Sequence, residues 1–244
     1  MPDGTAFAER KSVEVLGCLF DAVGSSETMV RHRLQQGRKH FAGLSSILCC
    51  SKLPLRDRLL RCYASVGMTS LWASGCWVPS VKIQRLISVQ ETRWLRRMLC
   101  ARRRSSEDWA DWLRETKMIA HERRLEYGLP ALWHRVLGGI HGWAGHAMRR
   151  GQGHPANDWI RWRGALWWEF TKELGSIMRA TGWRHPRQNW RPGFEQVLAG
   201  HHGPTWDALT VYRWDWKART RAWIRHGVRL WGGPKVPSSR QWAF

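Results

Sequence analysis

The chain has 244 residues, with Lys+Arg 40 against Asp+Glu 19, a formal charge of +21 and a pI of about 11.1. At 43% hydrophobic it can bury a real core, which excludes wholesale disorder. No window nears the roughly 18 consecutive apolar residues of a membrane span, and Lys11 and Glu14 interrupt any secretory apolar region, so neither a transmembrane helix nor a leader is expected.

The charge has a particular make-up. Of the 40 bases, 32 are Arg and 8 are Lys, and the 19 Trp outnumber the 6 Phe and 3 Tyr. Guanidinium forks bind phosphate bidentately, and indole faces stack on unpaired bases. A polyanion is therefore the expected partner, because it relieves the self-repulsion of so basic a chain. The six cysteines (Cys18, Cys49, Cys50, Cys62, Cys76, Cys100) form no C-x-x-C pair and read as reduced thiols.

In chain order, Ser12 to Phe20 is β-prone and Asp21 to Ser26 has turn chemistry. Such a hairpin is marginal by itself, so residues 1–24 are expected to be poorly anchored. Val30, Leu34, Gly37, Phe41, Leu44 and Leu48 then recur at helical spacing, with Ser25 or Ser26 as the N-cap. Pro54 suits the start of a second helix with Leu55, Leu59, Cys62 and Val66 on one face. Gly75 and Pro79 break the chain, and Ser80 caps a third helix reaching about Cys100.

That third helix has two characters. Ile83, Ile87, Trp94 and Met98 share one face. Lys82, Arg85, Arg93, Arg96 and Arg97 fall within about a third of the circumference on another side, where Leu86 and Val89 intrude. After the Arg102-Arg103-Arg104 run, Ser105 with Asp108 resembles a capping box for a helix holding Trp109, Trp112, Leu113 and Ile119. Pro130 opens the next, with Trp133, Leu137, Ile140, Trp143 and Ala147 on a face. Trp94, Trp109, Trp112, Trp133 and Trp143 are assigned to core, while Trp167, Trp168, Trp214 and Trp216 lie among arginines and are expected to be more exposed. Helices are also expected over Asp158 to Ala180, Phe194 to Leu198 and Trp206 to Leu230, with a basic turn at Thr181 to Pro192 and a loose tail from Gly232.

Catalytic signatures are missing. There is no G-x-S-x-G, P-loop or G-x-G-x-x-G. No adjacent Asp pair is present to hold two metal ions, and His141, His146, His185, His201 and His202 lack zinc-ligand spacing with a Cys. No catalytic residue, metal ligand or cofactor is assigned.

Short segments, in order, resemble the C-terminal part of non-LTR (LINE-like) retrotransposon reverse transcriptases. Val15-Leu16-Gly17 is similar to the family's primer-grip "YLG" motif, and the segment through Arg31, Arg38 and Phe41 to its thumb helix. Leu53-Pro54-Leu55-Arg56-Asp57-Arg58-Leu59 resembles the start of the helix after it. Leu71-Trp72-Ala73-Ser74-Gly75-Cys76-Trp77 stands where the family has "LLYGCEtW", and Val89 to Leu99 where it has "fQrr.LRrIl". Gly142-Trp143-Ala144-Gly145-His146-Ala147-Met148-Arg149-Arg150 resembles "rWaGHvaRm", and Arg184-His185-Pro186-Arg187-Gln188-Asn189-Trp190 resembles "gRprrRWed". Trp206, Ala208, Arg213 and Trp216 match the closing "W…A.dR..W". The family's polymerase motifs, its "A-D-D" box included, its endonuclease and its Cys/His knuckle have no counterpart. Trp77 directly follows Cys76 where the family has Glu, and Gly142 replaces a base.

The expected fold is mainly α: a short N-terminal strand or hairpin, a thumb-like multi-helix bundle and a Trp/Arg-rich helical C-terminal region. The resemblance implies a palm-end remnant over 1–24, a thumb-like bundle over 25–104, connector helices over 105–153, the Trp/Arg-rich region over 154–231 and a tail over 232–244. It implies a fragment that binds a template–primer duplex of RNA and/or DNA without polymerising. Leu16 and Gly17 would face the primer end. Arg31, Arg38, Lys39, Lys82, Arg85, Arg93, Arg96, Arg97, Arg102, Arg103, Arg104, Arg149, Arg150 and Arg187 would contact phosphates. An intracellular, nuclear location and no membrane partner go with this. Two alternatives stay open. In one, a palm supplied by an upstream or separate segment completes an active RNA-directed DNA polymerase. In the other, the chain is a non-catalytic helical scaffold or relic.

Overall fold

The structure is a computed structural model, and it describes residues 12–15, 17–21, 26–151, 154 and 198–236. Strands β1 (Ser12–Val15) and β2 (Cys18–Asp21) pair antiparallel, with Val15 opposite Cys18 and Ser12 opposite Asp21. Gly17 turns the chain between them at φ 77°, a left-handed conformation that glycine adopts without a Cβ clash. The hairpin is anchored, contrary to expectation. Buried Arg33 donates from Nη1 to the Gly17 carbonyl at 3.2 Å and from Nη2 to the Thr69 carbonyl, and Cys18 is buried.

Helix α1 (Ser26–Gly43) buries Val30, Leu34, Gly37 and Phe41, the expected stripe, and the short α2 (Ser45–Leu48) follows with Leu48 buried. Ser26 Oγ accepts the Val78 N–H at 3.0 Å, tying the helix start to a distant loop. Ser25 lies outside the described residues. Pro54 immediately precedes α3 (Leu55–Cys62), which passes through a π-helical stretch, Tyr63–Gly67, into α4 (Met68–Ser70). Buried Arg58 gathers three carbonyls, those of Leu53, Leu48 and Met98, and so fastens the α2–α3 loop to the end of α5 (Val81–Met98). Ser80 caps α5, its Oγ accepting the Ile83 N–H at 3.2 Å.

Helix α6 (Trp109–Glu126) is capped by Asp108, whose carboxylate accepts the Ala110 and Asp111 N–H groups at 2.8 and 3.1 Å. Ser105 plays no part in that cap, because the acidic side chain already satisfies the first free donors. The core assignment fails on this helix. Trp109 and Ile119 are exposed and Trp112 is half-buried, because α6 packs chiefly on α5 and leaves its outer face open.

Helix α7 (Leu132–Arg149) is central, lying against α5, the 3₁₀ turn Ser74–Cys76 and the last helix, α8 (Arg213–Trp231). It is helical throughout, the Gly-Trp-Ala-Gly segment between His141 and His146 included. Trp133 is fully buried and Trp143 half-buried. Its glycines permit close approach: a Cβ at Gly145 would lie 2.2 Å from Trp216 Nε1, the atom that donates to the His141 carbonyl at 2.8 Å. Trp216 is therefore buried, whereas Trp214 is 78% exposed with Lys217 Nζ 5.9 Å from its ring. One hydrophobic core runs from Val30 through Trp77, Trp94 and Trp133 to Trp223 and Ile224. The fold is a mainly helical bundle with a short N-terminal hairpin and a Trp/Arg-rich C-terminal helix. The helices expected over 158–180, the turn at 181–192, and Trp167 and Trp168 lie outside the described residues. No helix among the described residues is long and apolar enough to cross a membrane.

Candidate nucleic-acid interface

Helices α1 and α5 pack through their apolar faces, with Phe41 stacked on Trp94 at 6.0 Å and 10°. Where the helices part toward solvent, their polar flanks form the walls of an open groove of about 720 Å³. Arg31 and Arg38 come from α1, and Lys82, Arg85 and Arg93 from α5. A spacing of seven on α1, and of three and eleven from Lys82 on α5, puts such side chains on one side of a helix, so periodicity alone aligns each wall. Leu19 of β2 closes one end, which brings the hairpin beside the same groove. Leu86 and Val89, the apolar intrusions in the basic stripe, form part of the floor.

The groove continues into a second depression of about 390 Å³, which shares Arg38, Gln90 and Arg93 and adds Arg96, Arg97 and Trp112. The Arg97 guanidinium lies 5.0 Å from the Phe41 ring centre, a contact that keeps it over the helix pair. No carboxylate is among the described residues that line either depression. Glu27 is a counter-charge beside the groove: it meets Arg31 at 2.7 Å and Lys82 at 2.6 Å. Hydrogen bonds from Lys82 and then Arg31 hold its carboxyl below the usual range.

The remaining assigned residues divide. Lys39 and the Arg102–Arg104 run are exposed but line neither depression. Arg103 instead bonds the Glu107 carbonyl at 2.7 Å and lies 5.8 Å from the Trp109 ring centre. Arg149 donates to the Thr210 carbonyl at 3.0 Å and ties α7 to the segment before α8, and Arg150 donates to His146 Nε2 at 3.2 Å. Gly17 offers its carbonyl to Arg33. Arg96 has its Nε buried and lines a further cavity on the other flank of α5. Leu16 and Arg187 lie outside the described residues.

A second constellation was not foreseen as one. His141, His201, His202 and His226 stack among Trp216 and Trp223, with His141 parallel to Trp216 at 3.9 Å. His141 Nε2 lies 3.2 Å from His202 Nε2, and its Nδ1 lies 3.1 Å from Thr220 Oγ1. Burial, with His202 and His201 adjacent, pushes His141 down to about 3; burial and His201 push His202 down to about 4. No metal-holding group of three or more His, Cys, Asp or Glu occurs among the described residues. The six cysteines are free thiols. No family model, curated protein or solved structure matches the chain.

Proposed function

We propose that the chain binds nucleic acid by laying a phosphodiester backbone along the α1–α5 groove, and that it does so without polymerising. The observation that carries this is the convergence of Arg31, Arg38, Lys82, Arg85 and Arg93 from two helices on one groove with no carboxylate among its described lining residues. Contacts of that kind read charge spacing, not base identity, so binding is sequence-tolerant. The resemblance to a reverse-transcriptase thumb supports a template–primer duplex of RNA and/or DNA as the ligand, and a retroelement-derived origin for the chain. On that reading a palm, if the chain works with one, is a separate partner, and a nuclear location is expected.

The test is fluorescence anisotropy with a labelled template–primer duplex across a salt series. With about six phosphates neutralised, log affinity falls against log salt with a slope of roughly −5. Arg85→Gln with Arg93→Gln, both on exposed side chains, lowers the slope by about 2 and leaves the melting temperature unchanged. A slope near zero, or a double variant that binds like wild type, overturns the reading. Nucleotide incorporation by the purified chain overturns its non-catalytic part.

A further inference from the structure

The depression that prolongs the α1–α5 groove adds an aromatic wall to a basic one. Arg38, Gln90 and Arg93 are common to both, and the added lining includes Arg96, Arg97 and the indole of Trp112. Trp112 is half-buried, and its ring centre lies 5.1 Å from that of Trp109, with the planes 32° apart. The Arg103 guanidinium lies 5.8 Å from the Trp109 ring centre. Helix α6 buries Thr116, Ala120 and Arg124. Trp109 precedes them by seven, eleven and fifteen residues, which puts it on the same side of the helix, yet it is 57% exposed. The fold thus presents two adjoining indoles, one in the depression and one open to solvent. Large apolar side chains left open and rimmed by charge mark an interaction surface. The carboxylates nearest in sequence are engaged: Glu107 accepts the Arg104 N–H at 3.2 Å, Asp108 caps α6 and Asp111 meets Arg114 at 2.7 Å. Neither these three nor Glu115 is among the described residues that line the depression.

We propose that Trp112 and Trp109 form a stacking platform for unpaired bases, so that the ligand of the groove is a duplex that continues into a single strand. The inference rests on the groove reading, because Arg38 and Arg93, shared by groove and depression, pass one strand's phosphates from the first to the second. The depression, about 390 Å³, falls within the size range of small-ligand sites and admits a nucleotide. A paired base inside a duplex has both faces covered by its neighbours. An unpaired base has a face to offer, and all bases share that feature, so the platform tells strand state and not sequence. Charge selects the same ligand. An apolar protein surface would cover the indoles but bring no anion to the guanidiniums of Arg38, Arg93, Arg96 and Arg97, whereas a nucleotide supplies a ring for the former and a phosphate for the latter.

The experiment is fluorescence anisotropy of the full chain with a labelled blunt duplex, the same duplex carrying a short single-stranded extension, and that extension made abasic, which keeps the charge and removes the bases. Extensions are placed on the 5′ and on the 3′ end in turn. For one of the two polarities the wild type is expected to bind the extended duplex roughly tenfold tighter than its abasic counterpart. Trp109→Leu and Trp112→Leu are each expected to bring that ratio close to one, and Trp112→Phe, which keeps a ring, to retain most of it. Trp109 is exposed, so its variant keeps the fold and decides the matter even where Trp112→Leu unfolds. Salt-dependent binding of the blunt duplex with a ratio of one at both polarities overturns the platform and leaves the groove standing. Duplex binding that ignores salt overturns the groove, and this inference with it. A ratio that survives in Trp109→Leu and Trp112→Leu alike also overturns the platform. So does a ratio of one joined to self-association that Trp109→Leu abolishes, which assigns the indoles to a second copy of the chain.

Discussion

Glu27 governs how much of the groove's charge a ligand meets. It holds Arg31 and Lys82 within 2.7 Å, and both cations line the groove. Glu27→Gln removes the competing anion and keeps the side-chain shape. Nucleic-acid affinity in low-salt anisotropy is expected to rise roughly three- to fivefold, with the gain shrinking as salt is added. Unchanged or weaker binding would place the strand elsewhere. Single residues are also where the sequence was least legible. Nothing in the spacing of Arg96 tells that its Nε is buried, because helical position fixes direction and not the neighbour in that direction. Ser105 and Asp108 both satisfy cap chemistry, and only the backbone path selects Asp108. Trp214 and Trp216 sit two residues apart on one helix, yet the notch at Gly145 buries one and leaves the other exposed.

At the scale of elements, α5 is the strut of the molecule. One face holds Ile83, Ile87, Trp94 and Met98 in the core, and another presents the basic stripe. Both faces were legible, because period-3.6 patterning records which sides are dry and which are wet. Its inward carboxylate was not. Glu91, 1% exposed, takes hydrogen bonds from Tyr63 and the Leu132 N–H, and lies 4.0 Å from the equally buried Arg124. Burial pushes its carboxyl up, with Arg124 opposing that shift. Arg124 donates to the Leu129 carbonyl and Arg135 to the Tyr63 carbonyl, so the cluster joins α5, α6, α7 and the π-helical stretch. Glu91→Gln keeps an acceptor for Tyr63 and Leu132 but leaves Arg124 without its countercharge. A loss of about 3 kcal/mol in urea unfolding is expected. A loss below about 1 kcal/mol would mean that Arg124 is neutralised by some other group.

For the whole molecule, acid is the expected weakness. Burial, the leading cause in each case, lowers His121, His134 and His202 to about 4 and His141 to about 3, from an ordinary 6.5. Between those values and 6.5 the unfolded chain binds more protons than the folded one, so stability rises with pH there. It is full above about 6.5 and is lost as pH falls toward 4. The melting temperature is expected to hold from about pH 8 to 7 and then to drop steadily, with His202→Gln flattening part of the drop. A melting temperature that is flat down to about pH 4 contradicts the neutral histidine stack. The turn at Gly17 was not legible, because Ser12 to Phe20 read as one β-prone run with its turn after it; the order of the helices was, from punctuation at Pro54, Ser80 and Pro130. Their assembly was not, because His141 meets His202 and Trp216 across 61 and 75 residues.

The π-helical stretch Tyr63–Gly67 sets the angular phase of the residues beyond it. A wider turn takes up one more residue than an α-turn, so its presence decides which compass bearing the next side chains and carbonyls adopt. With it in place, the Thr69 carbonyl reaches Arg33, and through Arg33 the strand turn at Gly17. Removing one residue there would restore ordinary pitch and rotate Thr69 by about 100° away from that guanidinium. Arg33, the side chain that holds the Gly17 carbonyl, would then lose its second anchor. A single surplus residue in α3's continuation therefore acts as the indexing tooth that keeps a distant β-turn in step with the helices.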